Sequence, residues 1–167
     1  MSISMYEASA PCFVRTLRAL DSILVKAEAY AQERKIDPAV LLSARLFPDM
    51  FTLTRQVQIA TDHAKGALAR LAGVEVPKFE DKEQSFDELR ARIERTITFV
   101  EGFRPEQIDG SETREFSFKA GSRELSFQGM PYLLGYALPN FYFHAVTAYD
   151  ILRHNGLNIG KRDYLGA

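Results

Sequence analysis

The sequence predicts an all-α protein, an up-and-down bundle of about four long helices with a small β-hairpin inserted before the last of them. Three observations lead to this prediction. Apolar residues recur at spacings of three and four over long segments, the pattern of amphipathic helices. Most links between these segments are short, as they are between consecutive antiparallel helices. One segment alternates polar and apolar residues on both sides of a glycine, which is typical of a hairpin.

The length and the charge of the chain indicate its number of domains and the kind of partner it can bind. Its 167 residues suit one domain, residues 1–167, with a substantial core. The formal net charge is −1 and the pI is about 6.3. A nucleic-acid binder needs a concentrated positive face to displace counterions from phosphate, so we expect no nucleic-acid partner.

Cysteine usage and hydropathy bear on the compartment. Cys12 is the one cysteine, which excludes an internal disulfide and a thiolate metal cluster. No segment has the features of a signal peptide, and none reaches the roughly 18 apolar residues of a membrane span. By exclusion we expect a cytoplasmic protein that does not contact a membrane.

The first long helix is predicted from Pro11 to Arg34. Pro11 suits a first helical turn, where its missing N–H would have no partner. The helix should end before Asp37, because the ring of Pro38 disfavours helical geometry at the preceding residue. Asp37 then caps a short helix that continues to Leu46. The apolar stripe of the long helix consists of Phe13, Leu17, Leu20, Leu24, Ala27 and Ala31.

The second long helix is predicted from Met50 to Leu71. Gly73 follows it and can adopt the left-handed conformation that often ends a helix. The small residues between Ala64 and Ala69 would let a neighbouring helix approach closely. After a polar linker, residues 74–84, the sequence Ser-Phe-Asp-Glu at 85–88 forms a capping box for a third long helix.

The third long helix should end near Phe103, and a hairpin should follow within residues 105–129. Apolar residues alternate with polar ones on either side of Gly121. A lone hairpin is only marginally stable, so this one must lie against the helices or against a partner chain. One or two helical turns between Met130 and Leu138 then precede the last long helix, from Pro139 to His154.

Two parts of the chain carry a family resemblance. The first reads RQVQIATDHAKG at residues 55–66, with ARLAG at 69–73. The second reads PNFYFHAVTAYDILRHNG at 139–156, followed by IGKRDYLG at 159–166. Together they resemble a bacterial family of uncharacterised proteins in the DinB/YfiT-like superfamily. The resemblance covers nearly the whole chain and implies a four-helix bundle that is often dimeric.

The resemblance also implies a kind of site. Many members of the superfamily hold a divalent metal with three histidines, one on the second long helix and two, four residues apart, on the last. Residues at i and i+4 share a helix face, so a facing helix can supply the third ligand. Imidazoles at such a site suit nickel, zinc or iron, and open positions would admit water or substrate.

This sequence departs from the three-histidine pattern. His144 matches the second histidine of the last helix, but the first falls on Asn140, a weaker ligand. The position on the second long helix falls near Gln58, whereas His63 should point to a different face and would contribute only in another register. The predicted pocket therefore contains His144, Asn140, Gln58 and Tyr136. A divalent metal is the cofactor to test for, and the incomplete ligand set counts against tight binding.

Each of these residues also has a purely structural interpretation. His144 would then be a hydrogen-bonded core histidine, and His63 a surface or interface residue. Asn140 would satisfy free backbone groups in a first helical turn. His154, in the last turn of its helix, is explained by the negative end of the helix dipole. Cys12 lacks an adjacent base that would make it a nucleophile.

Two functions remain after these considerations, and the sequence does not decide whether the chain is an enzyme. One is a small-molecule-binding or degenerate metal-site bundle with its pocket at His144. The other is a non-catalytic homodimer that has lost the metal site of the superfamily. Nothing in the chain supports a DNA-damage role, which the DinB name alone would suggest.

Overall fold

The computed structural model describes residues 3–166, so Met1, Ser2 and Ala167 of the predicted domain 1–167 lie outside the described residues. The described chain is mainly helical and includes one two-stranded antiparallel sheet. In chain order its elements are α1 (Ala10–Arg34), α2 (Pro38–Leu42), α3 (Leu53–Ala72), α4 (Phe86–Glu101), α5 (Pro105–Ile108), β1 (Glu115–Ala120), β2 (Arg123–Gln128), α6 (Gly129–Tyr132), a π-helical turn (Leu133–Ala137), α7 (Leu138–His154) and α8 (Lys161–Leu165).

The helix ends follow local side-chain caps. Asp37 accepts a hydrogen bond from the Ala39 N–H at 2.9 Å, which starts α2 at the predicted Pro38. This helix ends at Leu42, four residues before the predicted end. Helix α3 begins at Leu53 rather than Met50, because the Thr52 hydroxyl accepts from the Arg55 N–H.

The capping box before α4 is confirmed in one half and wrong in the other. The Ser85 hydroxyl accepts from the Glu88 N–H at 3.2 Å, as predicted. The Glu88 carboxylate, however, accepts from the N–H of Gln84 at 2.6 Å instead of from Ser85. The side chain therefore ties the preceding linker to the helix rather than closing the reciprocal pair.

The predicted hairpin is confirmed, and it rests on its own chain. Strands β1 and β2 pair in antiparallel register with Phe116 opposite Phe127 and Phe118 opposite Leu125. The rings of Phe116, Phe118 and Phe127 pack against the hydrophobic core. Alternation thus places one face of the hairpin on the helices, which supplies the support that an isolated hairpin lacks.

The helical turns predicted before Pro139 and the last long helix are one continuous helical segment, from Gly129 to His154. A π-helical turn of residues 133–137 interrupts the α-helical geometry just before the proline. Proline cannot donate to the carbonyl four residues earlier, and a widened turn accommodates this. The carbonyl of Tyr136, at this turn, accepts a hydrogen bond from the Asn140 side-chain amide at 2.7 Å.

The four long helices pack around shared apolar contacts. Helix α1 packs against α4 and α7, and α3 packs against the same two helices. The hydrophobic cluster takes buried side chains from all four. The side chains of Ala64, Ala67 and Ala69 are fully buried, so the close approach predicted there occurs inside this chain and leaves no free patch. Among residues 3–166, no helix combines the length and apolarity needed to cross a membrane.

Candidate functional site

The seam between α3 and α7 contains a buried imidazole with a defined tautomer. The Nδ1 atom of His144 lies 2.6 Å from the side-chain oxygen of Gln56, and His144 is only 8% exposed. The Gln56 amide nitrogen donates to the Phe51 carbonyl at 3.2 Å, which fixes the orientation of the amide. Since the amide oxygen can only accept, Nδ1 of His144 carries the proton. The lone pair is therefore on Nε2.

A second imidazole lies beside the first. The rings of His63 and His144 are nearly parallel, with centroids 5.9 Å apart and an angle of 13° between their planes. The prediction that His63 points to a different face is therefore wrong. His63 follows Gln56 by seven residues, close to two helical turns, so both side chains lie on the side of α3 that faces α7.

Gln58 occupies a different network from the one predicted. Its amide nitrogen donates to Glu83 at 2.8 Å, and its oxygen accepts from Arg55 at 3.2 Å. A residue two positions from Gln56 is rotated by about 200° around a helix. Gln56, rather than the predicted Gln58, is the α3 amide that bonds to His144.

The π-helical turn supplies the third aromatic ring of the site. Tyr136 contacts His63 edge-on, with centroids 5.8 Å apart, and also packs against Phe127 of the hairpin at 5.1 Å. Asn140, one helical turn further on, donates its amide to the Tyr136 carbonyl. This bond matches the structural interpretation of Asn140 and leaves its side-chain oxygen as a possible acceptor.

Both imidazoles are neutral at pH 7. Burial lowers the pKa of His63 to about 4, and the neighbouring His144 and Arg70 lower it further against the opposing effect of Asp62. Burial, followed by the charge of Arg55, lowers the pKa of His144 to about 4. A neutral imidazole offers one N–H donor and one acceptor, so the pair presents hydrogen-bonding groups without charge.

Several polar atoms of the site have no partner within the described chain. They are both ring nitrogens of His63, Nε2 of His144 and the phenol oxygen of Tyr136. Over residues 3–166, Ser111 Oγ is the only fully buried side-chain polar atom that lacks a hydrogen bond. The unpartnered atoms of the two histidines and the tyrosine are therefore not fully shielded from water.

Comparison with known proteins identifies the family. The model of the family described as "Domain of unknown function (DUF1993)" matches residues 5–165. The chain belongs to the DUF1993 family. A crystal structure of a DinB family member protein from Shewanella denitrificans is 42% identical, with a TM-score of 0.87 over 97% of this chain and 92% of that one. No curated protein matches this DUF1993 chain. The predicted resemblance to an uncharacterised DinB-like family is confirmed.

The residues of this DUF1993 protein do not fit the three-histidine centre that the resemblance implied. The site brings together two imidazoles, and Asn140 takes the third position. Within the part of the chain that the structure describes, no three His, Cys, Asp or Glu side chains are grouped so that they could hold a metal ion. No step of a proposed function is therefore assigned to a metal.

A second polar cluster, which was not predicted from the sequence, surrounds Arg92 in the DUF1993 chain. The Arg92 side chain is 0% exposed and pairs with Asp62 at 2.8 Å, Asp81 at 3.0 Å and Glu83 at 3.1 Å. Arg92 Nε also donates to the Thr61 hydroxyl at 2.7 Å. An arginine on the otherwise apolar stripe of α4 was the available signal. A cleft of about 520 Å³ adjoins this cluster.

Proposed function

We propose that this DUF1993 protein binds a small polar molecule, without a metal, between α3 and α7. The proposed pocket consists of Gln56, His63, Tyr136, Asn140 and His144. One observation carries the proposal: the Gln56 amide holds His144 in the tautomer that leaves Nε2 unprotonated, beside a second neutral imidazole. A fixed acceptor among aromatic walls is typical of a ligand pocket.

The low pKa values favour binding over proton transfer. An efficient general base has a pKa near the operating pH, whereas those of His63 and His144 are about 4. Such groups are weak bases at pH 7 but remain good hydrogen-bond acceptors. We therefore propose that His144 orients a ligand through an N–H or O–H group of that ligand.

A fluorine-NMR screen of small polar fragments on the full chain tests the proposed pocket. We expect fragments whose binding is lost in His144→Ala and Gln56→Ala. The matched control is His154→Ala, since His154 is exposed at the end of α7 and should bind the same fragments as the wild type. Fragment binding that is equal in all three variants would contradict the proposal.

Elemental analysis separates this pocket from a metal centre. The protein is purified without a metal-affinity tag, incubated with nickel, zinc or manganese and desalted. We expect less than stoichiometric metal, because the site has two imidazole ligands rather than three. One equivalent of metal that disappears in His144→Ala would overturn the metal-free version of the proposal.

We also propose that the chain forms a homodimer, the second function considered above. Phe143 is 56% exposed and Val146 lies three residues further on the same side of α7. Exposed apolar residues at helical spacing favour a self-complementary interface. The contacts of α1 and α3 with the same two helices support an up-and-down four-helix bundle in a single domain, for which we also propose a cytoplasmic location.

A further inference from the structure

Arg70 lies at the hairpin end of the proposed pocket in a constrained position. It follows His63 by seven residues on α3, so the two side chains share a face. Its guanidinium carbon lies 3.9 Å from the centre of the Phe118 ring, and its Nη1 donates to the Tyr132 hydroxyl at 3.1 Å. Stacking and the hydrogen bond thus orient the planar group.

Gly66 makes this position available. A Cβ atom added to Gly66 would lie 2.5 Å from Nη1 of Arg70, so the guanidinium occupies the space that a side chain would fill. The side chain therefore folds back along α3 towards His63, the direction that long helical side chains favour. The influence of Arg70 on the pKa of His63 agrees with this placement.

The charge of Arg70 has no carboxylate partner within the described residues. The other two cations of α3 do, since Arg55 pairs with Asp81 and Lys65 with Asp62. None of the ion pairs of residues 3–166 includes Arg70, and its side chain makes the single hydrogen bond to Tyr132. Because Arg70 is half-buried, an anion that reached its free N–H groups would be weakly screened by water.

We infer that Arg70 is an anion subsite of the proposed pocket and that the ligand is a small carboxylic acid. The inference rests on the function proposed above and specifies the chemical class of the ligand. A guanidinium presents paired N–H groups that match the two oxygens of a carboxylate. The rings of Phe118 and Tyr136, which lie 5.9 Å apart, would contact the apolar part of the acid between Arg70 and the histidines.

The single guanidinium favours a monoanion over a phosphate. A dianionic phosphate would be met by one arginine and would keep an uncompensated charge at a half-buried position. A carboxylate carries one charge and needs one planar partner.

The test uses benzoate as the probe, with benzamide and inorganic phosphate as comparisons, in NMR titrations of the full-length chain. We expect benzoate to shift the Arg70 side-chain and His63 signals with a dissociation constant at least tenfold lower than that of benzamide. Inorganic phosphate should not compete with it. Benzamide that binds as tightly as benzoate, or phosphate that binds more tightly, would overturn the carboxylate assignment.

Two variants remove the subsite in different ways. Arg70→Met removes the charge, whereas Gly66→Ala displaces the guanidinium and improves helix propensity. Both should weaken benzoate binding at least tenfold, and Gly66→Ala should keep or raise the Tm, which separates lost binding from unfolding. The control is Arg95→Met, because Arg95 also stacks on a ring, 3.7 Å from the centre of Phe79 on another face. It should leave benzoate binding unchanged.

The outcomes distinguish the inference from the function on which it rests. Benzoate binding that is unaffected by Arg70→Met overturns the inference. If polar fragments still bind in a manner that depends on His144 while benzoate does not bind, the inference fails and the pocket stands. If neither class binds, both proposals fail.

Discussion

At the scale of single residues, the state of two imidazoles depends on a glutamine amide and on burial. Gln56 decides which nitrogen of His144 carries the proton, and packing between α3 and α7 keeps both rings neutral. The site contains two imidazoles and the Gln56 amide instead of the three histidines that the resemblance implied. The site therefore offers acceptors rather than charge.

Burial of neutral histidines makes stability depend on pH. In the unfolded chain an imidazole titrates near 6.5, whereas those of His63 and His144 have pKa values of about 4 in the folded chain. Between these values the unfolded state binds more protons, so the free energy of unfolding rises with pH from about 4 to 6.5 and levels off above. We expect each imidazole to contribute about 2 kcal/mol to this loss on acidification.

Urea unfolding at pH 4 and pH 6.5 measures the effect. Carboxylates also titrate in this range, so the comparison is between wild type and His144→Asn, which keeps a donor for Gln56. The variant should lose about 2 kcal/mol less than the wild type between the two pH values. His154→Asn, the exposed control, should follow the wild type. An identical pH dependence in all three proteins would contradict the buried neutral state of His144.

At the scale of elements, one buried arginine attaches the 74–84 linker to the helices. Arg92 of α4 contacts Asp62 of α3 as well as Asp81 and Glu83 of the linker. We expect Arg92→Met to lower the free energy of unfolding by about 2 kcal/mol, because three carboxylates and the Thr61 hydroxyl each lose one charge-assisted partner. The loss is limited because Asp62 keeps Lys65 and Asp81 keeps Arg55. Arg95→Met, one turn away and exposed, should change it by about 1 kcal/mol or less, since it loses only the stacking on Phe79. Equal urea midpoints for the two variants would contradict this role.

The segment that leads into the hairpin closely approaches the start of α6. A Cβ atom added to Gly129 would lie 2.0 Å from the Ser111 carbonyl oxygen, a backbone atom that cannot move alone. We expect Gly129→Ala to destabilise the protein by roughly 2 kcal/mol or more through this overlap. At Gly135, where nothing lies within 4 Å of an added Cβ, alanine should have little effect. Thermal unfolding of both variants checks the contrast, which fails if their Tm values agree.

At the scale of the whole molecule, the exposed apolar residues of α7 predict an interface with a second copy of the chain. We expect a dimer in sedimentation experiments at micromolar concentration, and a monomer for Phe143→Glu, because a charge would be buried in the interface. Val40→Glu is the control, since Val40 is 57% exposed but lies on α2. A wild-type monomer at this concentration would rule out the proposed homodimer.

Local sequence patterns allowed most elements to be predicted, although a few predicted ends differ from those in the structure. The four long helices and the hairpin were found because amphipathic periodicity and alternation are written along the chain. The continuous helix through Pro139 was missed, since the π-helical turn that accommodates it depends on the packing of Tyr136 and on the Asn140 amide. His144 was identified through the family resemblance, while Gln56 and the facing position of His63 were not.

The sequence by itself determined the helical class and the hairpin, because short-range spacing and residue type encode these features. Its resemblance to a known family indicated the family and the histidine on the last helix. Only the tertiary structure decided which face of α3 meets α7. Each residue turns a helix by about 100°, so an error of two positions exchanges Gln56 for Gln58 and turns His63 away from the site. The pairing of Arg92, and the lack of an ion pair at Arg70 among the described residues, were likewise decided by the packing of segments distant in sequence.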